Sequence, residues 1–434
     1  MTGGRGCDAV IVGAGIIGAA VALELARRGW RTVNLDRLPA AGYGSTGNSC
    51  AIVRFHYSTF EGAALAWEGH GCWTRWGDHL GVADERGLAR FHECGCLIVK
   101  TEGNGFLRRV VQLMDGLGIP HREWDAAAMR AAYPFYDTRR FAPVRRPDDP
   151  GFGEGEGGEI AGAVFFPNAG YVNDPQLAAH NLQRAAEAAG ARFRFNAEVA
   201  AIRKDGGGRI AGVVLADGEA IAAPVVVNAA GPHAAKVNAL AGADADMTIG
   251  TRALRQEIAH VAAPAGGALP FFASDGDVGV YARPEIGGHL LVGSEDPPCD
   301  RRQWVDPDAF DRNLTDQART QVLRLAQRIP ALGIPDSLRG VVDLYDVSDD
   351  WLPIYDRSAV PGFYMAVGTS GHQFKTAPVV GALMAELIVR CEAGQDHDAE
   401  PVRFHLARTH RTLDLGVFSR RRPVNAESSF SVLG

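Results

Sequence analysis

Apolar positions along this chain gather at widely separated places, and each cluster carries the spacing of strand or helix. The first is DAVIVGAGIIGAAVALELARRGWRTVNLD, residues 8–36. An apolar run, a Gly-x-Gly-x-x-Gly turn, an amphipathic helical stretch and a second short apolar run ending in an acid together predict a β-turn-α-β unit. AEVAAI (197–202), RIAGVVLADGEAIAAPVVVNAAGPHA (209–234) and PGFYMAVGTSGHQFKTAPVVGALMAELIV (361–389) also read as strand material with turn residues. They return the chain to one nucleotide-binding fold at distant points. In the last of them Val379, Val380, Leu383, Met384, Leu387 and Ile388 mark an apolar helix, and Lys375 stands at its mouth. A helix start already carries partial positive charge, so a cation there is unfavourable unless an anion meets both.

The predicted architecture is therefore α/β and α+β, with a Rossmann-like dinucleotide-binding domain interleaved with a sheet-and-helix substrate domain. The first is drawn from residues 1–80, 161–234 and 338–395, and the second from 81–160 and 235–337, whose mixed character shows no chemical motif. Residues 396–434 form a C-terminal extension.

Composition excludes several classes. With 434 residues, 46% hydrophobic and 22% charged, the chain has the makeup of a globular protein large enough for two domains. A net charge of -7 and the lack of a long basic stretch exclude nucleic acid as a partner. The short run Arg420, Arg421 and Arg422 reads as part of a solvated tail. Seven scattered cysteines give neither a disulfide framework nor a zinc site, and Cys94 and Cys96 have no matching second pair, so no metal is expected. No signal peptide is evident and no apolar segment reaches the roughly 20 residues that span a bilayer, which makes the cytoplasm the expected compartment. The Gly- and acid-rich stretch 147–159 reads as a surface loop.

Each part of the first unit has a physical task. Gly13 permits the tight turn, Gly15 lets backbone approach a pyrophosphate, and Gly18 allows close packing of helix on strand. The helix N-terminus stabilises phosphate charge, and Asp36 ends the second strand where a ribose-binding acid belongs. A glycine-rich loop of some other α/β protein leaves Asp36 unexplained. NAD and FAD share this fingerprint, so the unit alone leaves the choice open.

Three further stretches follow: GSTGNSCAIVRFHY (44–57), LYDVSDDWLPIYD (344–356) and SGHQFK (370–375). In their order and spacing the chain resembles the FAD-dependent amine and amino-acid oxidoreductases that include monomeric sarcosine oxidase, the β-subunit of heterotetrameric sarcosine oxidase and dimethylglycine dehydrogenase. The resemblance covers most of the chain and implies FAD rather than NAD. It extends the expected cofactor-binding set to Ile17, Arg37, Ser45, Thr46, Asn48, Ser49, Val199, Gly371, His372, Gln373, Phe374 and Lys375.

The resemblance also implies that Arg54 and Lys375 bind a substrate carboxylate over the flavin. Arg offers a planar fork and Lys a point charge, which together fix one orientation. The same cations and a dry pocket favour the neutral form of a substrate amine, whose lone pair must be available for hydride loss. Tyr345 and His56 are further catalytic candidates, with no dedicated base assigned. The helix start with Lys375 is expected to stabilise charge on reduced flavin.

The expected reaction is FAD-dependent oxidation of the C–N bond of an N-alkyl or secondary amino acid, a demethylation where the alkyl group is methyl. Hydride passes to flavin N5, and the imine is then hydrolysed. Oxidation of an α-amino or α-hydroxy acid stays open, as does a FAD-holding subunit of a larger electron-transfer complex, with RTLDLGVFSRRRPVNAESSFSVLG (411–434) as a docking segment. Expected partners are a small amino acid or amine carboxylate, oxygen or another electron acceptor, and a possible oligomer or hetero-complex.

The chain departs from its relatives at three points. Where some of them attach FAD covalently through His or Cys, it carries Asn48 and Asp343, so FAD is expected to be non-covalent. Where monomeric sarcosine oxidase has an oxygen-activating lysine, it carries Leu291 or a neighbour, with no lysine anywhere in 280–300. Dehydrogenase activity is then as credible as oxidase activity. Gln373 replaces a glycine beside the pocket.

Overall fold

The run AVIV forms the strand Ala9–Val12, every residue of it buried. Such continuous apolar runs suit a parallel sheet covered on both faces. In the computed structural model, which describes residues 6–101, 106–264 and 269–432, this strand lies inside a six-stranded sheet. The order is Ile354–Arg357, Phe363–Val367, Val225–Asn228, Ala9–Val12, Thr32–Leu35 and Arg192–Arg194. All neighbours run parallel except Ile354–Arg357, which pairs antiparallel with Phe363–Val367 at one edge.

Helices Ile16–Arg27, Pro175–Ala188 and Ala377–Glu392 share the core on one face of this sheet. Gly381 brings two of them backbone to backbone, since a Cβ there would lie 2.5 Å from the Ala20 carbonyl oxygen. The other face packs Val10, Val33 and Val226 with Ile210, Val213 and Leu215 of a three-stranded antiparallel layer, Val199–Lys204, Ile210–Leu215 and Ala220–Ala222.

A second, nine-stranded sheet is mostly antiparallel. Its organising element is the long strand Thr251–Ala262, which pairs along ten residues with Arg339–Ser348, from Thr251 opposite Ser348 to His260 opposite Arg339. Its other edge pairs with His289–Ser294 and Gln303–Trp304, and the sheet continues through Val280–Glu285, Phe272–Asp275, Cys96–Val99, Ala163–Phe166 and Arg122–Trp124. Two strands thus fall across the boundaries drawn from sequence. Ala163–Phe166 and Arg339–Ser348 lie in ranges assigned to the nucleotide-binding unit yet join this sheet. Their ladder partners, Cys96–Val99 and Thr251–Ala262, belong to it.

The reading of Arg420 and Arg422 as a solvated tail is overturned. Both are buried, while Arg421 between them is exposed. Arg420 pairs with Asp356 at 3.0 Å, Asp398 at 2.9 Å and Asp246 at 2.5 Å, and Arg422 with Asp350 at 2.8 Å. The segment after the hairpin Arg403–Leu406/Arg411–Asp414 is therefore clamped onto the nucleotide-binding sheet. No helix among the described residues is long and apolar enough to cross a membrane.

Removing one partner of a buried ion network leaves the others uncompensated. Arg420→Met is expected to destabilise the chain by about 3–5 kcal/mol in urea denaturation, and Arg421→Met by less than about 0.5 kcal/mol.

Candidate active site

One cavity of about 780 Å³ is lined both by the glycine turn after the first strand and by the turn before the helix Ala377–Glu392. At the first turn Gly13 has φ +107°, and a Cβ on it would lie 2.3 Å from the Ala229 carbonyl oxygen. A Cβ on Gly18 would lie 2.0 Å from the Gly13 carbonyl oxygen. Only glycine lets strand, turn and helix approach this closely.

The Ile16 N–H, at the helix start, donates to Thr46 Oγ1 at 3.1 Å. Asp36 accepts from the Ala14 N–H at 2.7 Å and the Leu38 N–H at 2.9 Å, so its carboxylate is fixed by its own loops while lining the cavity. Burial pushes its pKa up. Arg37, Val199, His233 and Lys236 also line this part. Arg37 pairs with Asp308 at 2.5 Å and Lys236 with the same carboxylate at 2.6 Å. Hydrogen bonds from Lys236, then from Arg37, hold Asp308 far below the usual carboxylate range. A cradle with no room for Cβ, a helix N-terminus and an anchored acid fit the phosphates and ribose of a dinucleotide.

At the other turn, Gly368, Ser370 and Gly371 all have positive φ. The Gly368 N–H donates to Asp346 Oδ2 at 2.5 Å and the Ser370 N–H to the Asp346 carbonyl at 2.7 Å. Burial pushes the Asp346 carboxyl up to about 7. A Cβ on Gly371 would lie 2.5 Å from the Tyr345 ring, so turn and sheet meet with no space between them.

His372 Nε2 bonds the Trp351 carbonyl at 2.8 Å, and its Nδ1 bonds Gln373 Nε2 at 2.8 Å. Gln373 Oε1 accepts from Thr376 Oγ1 at 2.6 Å and from the Tyr355 hydroxyl at 3.2 Å. Gln373 lines the cavity with its amide committed to this network, so it braces the turn.

The two predicted cations converge on Tyr57. The Arg54 guanidinium carbon lies 4.6 Å from the centroid of the Tyr57 ring, and Lys375 Nζ lies 5.3 Å from it. Lys375 Nζ donates to the Tyr57 hydroxyl at 2.9 Å and to the His372 carbonyl at 2.6 Å. Arg54 donates to the carbonyls of His56 and Val432. Both cations are buried, and among the described residues neither has a carboxylate within ion-pairing distance. Burial, then the Arg54 charge, hold Lys375 well below its ordinary pKa.

The other predicted residues divide. Ile17, Ser45, Thr46, Asn48, Ser49, Phe374 and Tyr345 line the cavity with the residues above, whereas Gly18 and His56 do not. Gly18 serves helix packing. His56 stacks on Phe166 at 5.9 Å, has no partner on either ring nitrogen, and is held well below its ordinary pKa by burial and then by Arg54 and Lys375. His56 thus packs against Phe166 behind the cavity lining. Asn48 Nδ2 donates to Asp343 Oδ2 at 2.5 Å, so the two residues expected to leave FAD unattached are bonded to each other.

The nine-stranded sheet adds Gln256 and Ile258, Phe272 and Ser274, and Val341, Asp343 and Tyr345. In Thr251–Ala262 and Phe272–Asp275 the lining residues alternate, the signature of a single sheet face, whereas Arg339–Ser348 also adds Leu344 and Asp346. Glu295, just after the strand His289–Ser294, joins them. Sequence reading passes over Tyr57 and Glu295. Tyr57 ends the quoted FHY and has no motif of its own. Glu295 carries one available signal, an acid directly following an apolar strand.

A nucleotide cradle and a buried cation pair in one cavity define the site of a dinucleotide-dependent oxidoreductase. Residues 8–387 match the DAO family, described as FAD dependent oxidoreductase, and the chain belongs to that family. The chain is 26% identical over 410 residues to a glycine oxidase of Geobacillus kaustophilus (strain HTA426), covering 90% of this chain and 94% of that protein. It is 28% identical over 438 residues to the bifunctional tRNA 5-methylaminomethyl-2-thiouridine biosynthesis protein MnmC of Paraburkholderia phytofirmans, covering 92% of this chain and 60% of that longer protein. The crystal structure of L-proline dehydrogenase from P. horikoshii shares the fold, with a TM-score of 0.75, 21% identity, and coverage of 96% of this chain and 97% of that one.

Charge-assisted hydrogen bonds such as those fixing Asp36 contribute about 1.5–3 kcal/mol each. Asp36→Ala is expected to weaken FAD retention roughly 10- to 100-fold, read from the flavin-to-protein absorbance ratio after dialysis against dilute cofactor.

Proposed function

We propose that this chain oxidises the C–N bond of an N-alkyl or secondary amino acid, with non-covalently held FAD. The supporting observation is the buried Arg54 and Lys375 without a carboxylate partner. Burying an unpaired charge costs several kcal/mol, and a ligand carboxylate offsets that cost for both cations at once.

Bound FAD supplies the two-electron acceptor. Arg54 has two N–H groups engaged by backbone carbonyls, which leaves others of its five donors for a ligand. Lys375, fixed between the His372 carbonyl and the Tyr57 hydroxyl, adds a point charge at a set place. An anion beside it favours its protonated form, so carboxylate binding takes up a proton wherever the lysine is neutral beforehand. The sheet face with Tyr345, Phe272 and Ile258 keeps the rest of the substrate dry. The pocket thus orients the acid end and disfavours a second positive charge near the cations.

Two details bear on the cofactor and acceptor. Neither Asn48 nor Asp343 is a nucleophile of the kind that bonds flavin, and each satisfies the other. Leu291 is buried within its strand, and of residues 280–300 only Tyr281 and Glu295 line the cavity, so this segment brings no cation to it. This supports an acceptor other than oxygen alongside the oxidase reading. A second substrate reading, a primary α-amino acid, is favoured by the likeness to a protein named glycine oxidase.

Anaerobic mixing of the FAD-loaded enzyme with sarcosine, proline, glycine, D-amino acids and 2-hydroxy acids tests the class. Bleaching of the flavin band by sarcosine or proline is expected; bleaching by 2-hydroxy acids alone overturns the reading. Lys375→Met is expected to slow that reduction roughly 100-fold with FAD occupancy unchanged, whereas equal loss of both makes the lysine a cofactor residue. Acid precipitation is expected to leave a colourless pellet and a yellow supernatant; a yellow pellet contradicts non-covalent binding.

A further inference from the structure

The cavity holds an acid that the carboxylate clamp leaves unused. Glu295 lines it in company with Arg54 and Lys375. Its Oε1 accepts from Ser274 Oγ at 2.5 Å, and the Asp275 backbone N–H also bonds it. The Glu295 N–H donates to the Gly279 carbonyl at 3.1 Å, which locks the main chain that carries it. Among the described residues no cation lies within ion-pairing distance of this carboxyl, although Arg54 is near enough to act on it through its field.

The charged groups around Glu295 have other engagements. Asp275 pairs with Arg328 at 2.6 Å and accepts from the Tyr136 hydroxyl at 2.7 Å. Tyr136 and Cys96, the other titratable groups that feel Glu295, are themselves pushed up by burial. Glu295 is therefore an anchored acid on the lining of a cavity that also carries the two basic groups Arg54 and Lys375. Burial is the main cause that pushes it up to about 8.

An amino acid carries one group for each: a carboxylate for the basic pair and an amine for the acid. We propose that Glu295 meets the amine nitrogen of the substrate, opposite the carboxylate held by Arg54 and Lys375, and takes up the proton of its ammonium form. This rests on the proposed carboxylate reading and deepens it by naming the residue that recognises nitrogen. In the step itself one N–H bond breaks, its electron pair stays on nitrogen as the lone pair, and the proton bonds a Glu295 oxygen. Substrate then stands as a neutral amine. A carboxyl near 8 is a far better match to an amine's proton affinity than an ordinary carboxyl near 4. Substrates of this site are thereby amino acids rather than hydroxy acids, because a hydroxyl brings no charge to the acid.

Two non-oxidisable acids of matched shape separate nitrogen recognition from carboxylate recognition. 2-Methylalanine carries an ammonium where pivalate carries a methyl group, and neither has a hydrogen on its α-carbon. Their dissociation constants are read from the perturbed flavin band of the FAD-loaded enzyme at pH 6.5 and 8.5. In the wild type, 2-methylalanine is expected to gain on pivalate about tenfold between the two pH values, as Glu295 ionises. Any titration of Lys375 acts on both carboxylates and cancels in the ratio. Glu295→Gln is expected to flatten the ratio with pH and to bring the two ligands within about threefold at pH 8.5. An unchanged ratio and pH dependence in the variant overturns the assignment while leaving the carboxylate reading intact. Should the variant fail to hold FAD, a wild-type ratio that does not rise with pH is equally decisive against it. Failure of both ligands to perturb the flavin overturns the carboxylate reading and this inference together.

Discussion

Two basic groups buried around one tyrosine ring, neither with a carboxylate in ion-pairing distance among the described residues, are the constraint around which this site is arranged. Arg54 and Lys375 flank one tyrosine ring and are held by backbone carbonyls and that tyrosine's hydroxyl. Dipoles and a ring face offset part of the cost of desolvation, and the remainder shows in the depressed pKa values of Lys375, His56 and His372, each led by burial. The turn at 368–371 exists in service of this arrangement. Its positive-φ residues, pinned by Asp346, aim the His372 carbonyl at the lysine. A cation at a helix mouth is tolerable because the preceding turn supplies the oxygen that a helix start lacks.

The two sheets make different contributions to the cavity. The parallel sheet presents turns at the ends of its strands, where backbone N–H groups and glycines suit phosphate and ring. The large antiparallel sheet presents a face, so that alternate side chains from neighbouring strands line one wall. The strand Arg339–Ser348 joins these functions, since Tyr345 touches Gly371 and Asp346 pins the turn beside it. Glu295 joins that lining from the end of the neighbouring strand His289–Ser294, so the cavity that holds the cation pair also holds an acid.

The nucleotide cradle was legible because its physics is local. Gly13, Gly15, Gly18 and Asp36 lie within one β-turn-α-β unit, and the structure puts their backbones where the spacing requires. Arg54 and Lys375 were legible only through a family resemblance, because 321 positions separate them by their own numbering and nothing in composition couples them. His56 sat in the same motif as Arg54, and only packing shows it facing Phe166. Gln373 is at the pocket as its sequence position implies, but only its three side-chain partners, His372, Thr376 and Tyr355, show that its amide braces the turn. The burial of Arg420 and Arg422 was invisible for a similar reason: their acids, Asp246, Asp350, Asp356 and Asp398, are dispersed, and a run of three arginines looks alike in solvent and in an ion network. Glu295 shows the opposite failure, since its signal was present but belonged to no familiar motif.

The interleaving of the parallel sheet has a consequence for how the chain is made. Its strand Ala9–Val12 is synthesised more than 200 residues before its neighbour Val225–Asn228, and the next strand, Phe363–Val367, comes later still. At roughly 5–20 residues per second, the apolar cradle strand waits on the order of tens of seconds before the sheet can close over it. During that interval the helix Ile16–Arg27 and the strand Thr32–Leu35 are its only nearby cover in sequence. The cofactor cavity thus forms only after Phe363–Val367 has been made, and newly made chain depends on escaping non-native association until that strand has emerged.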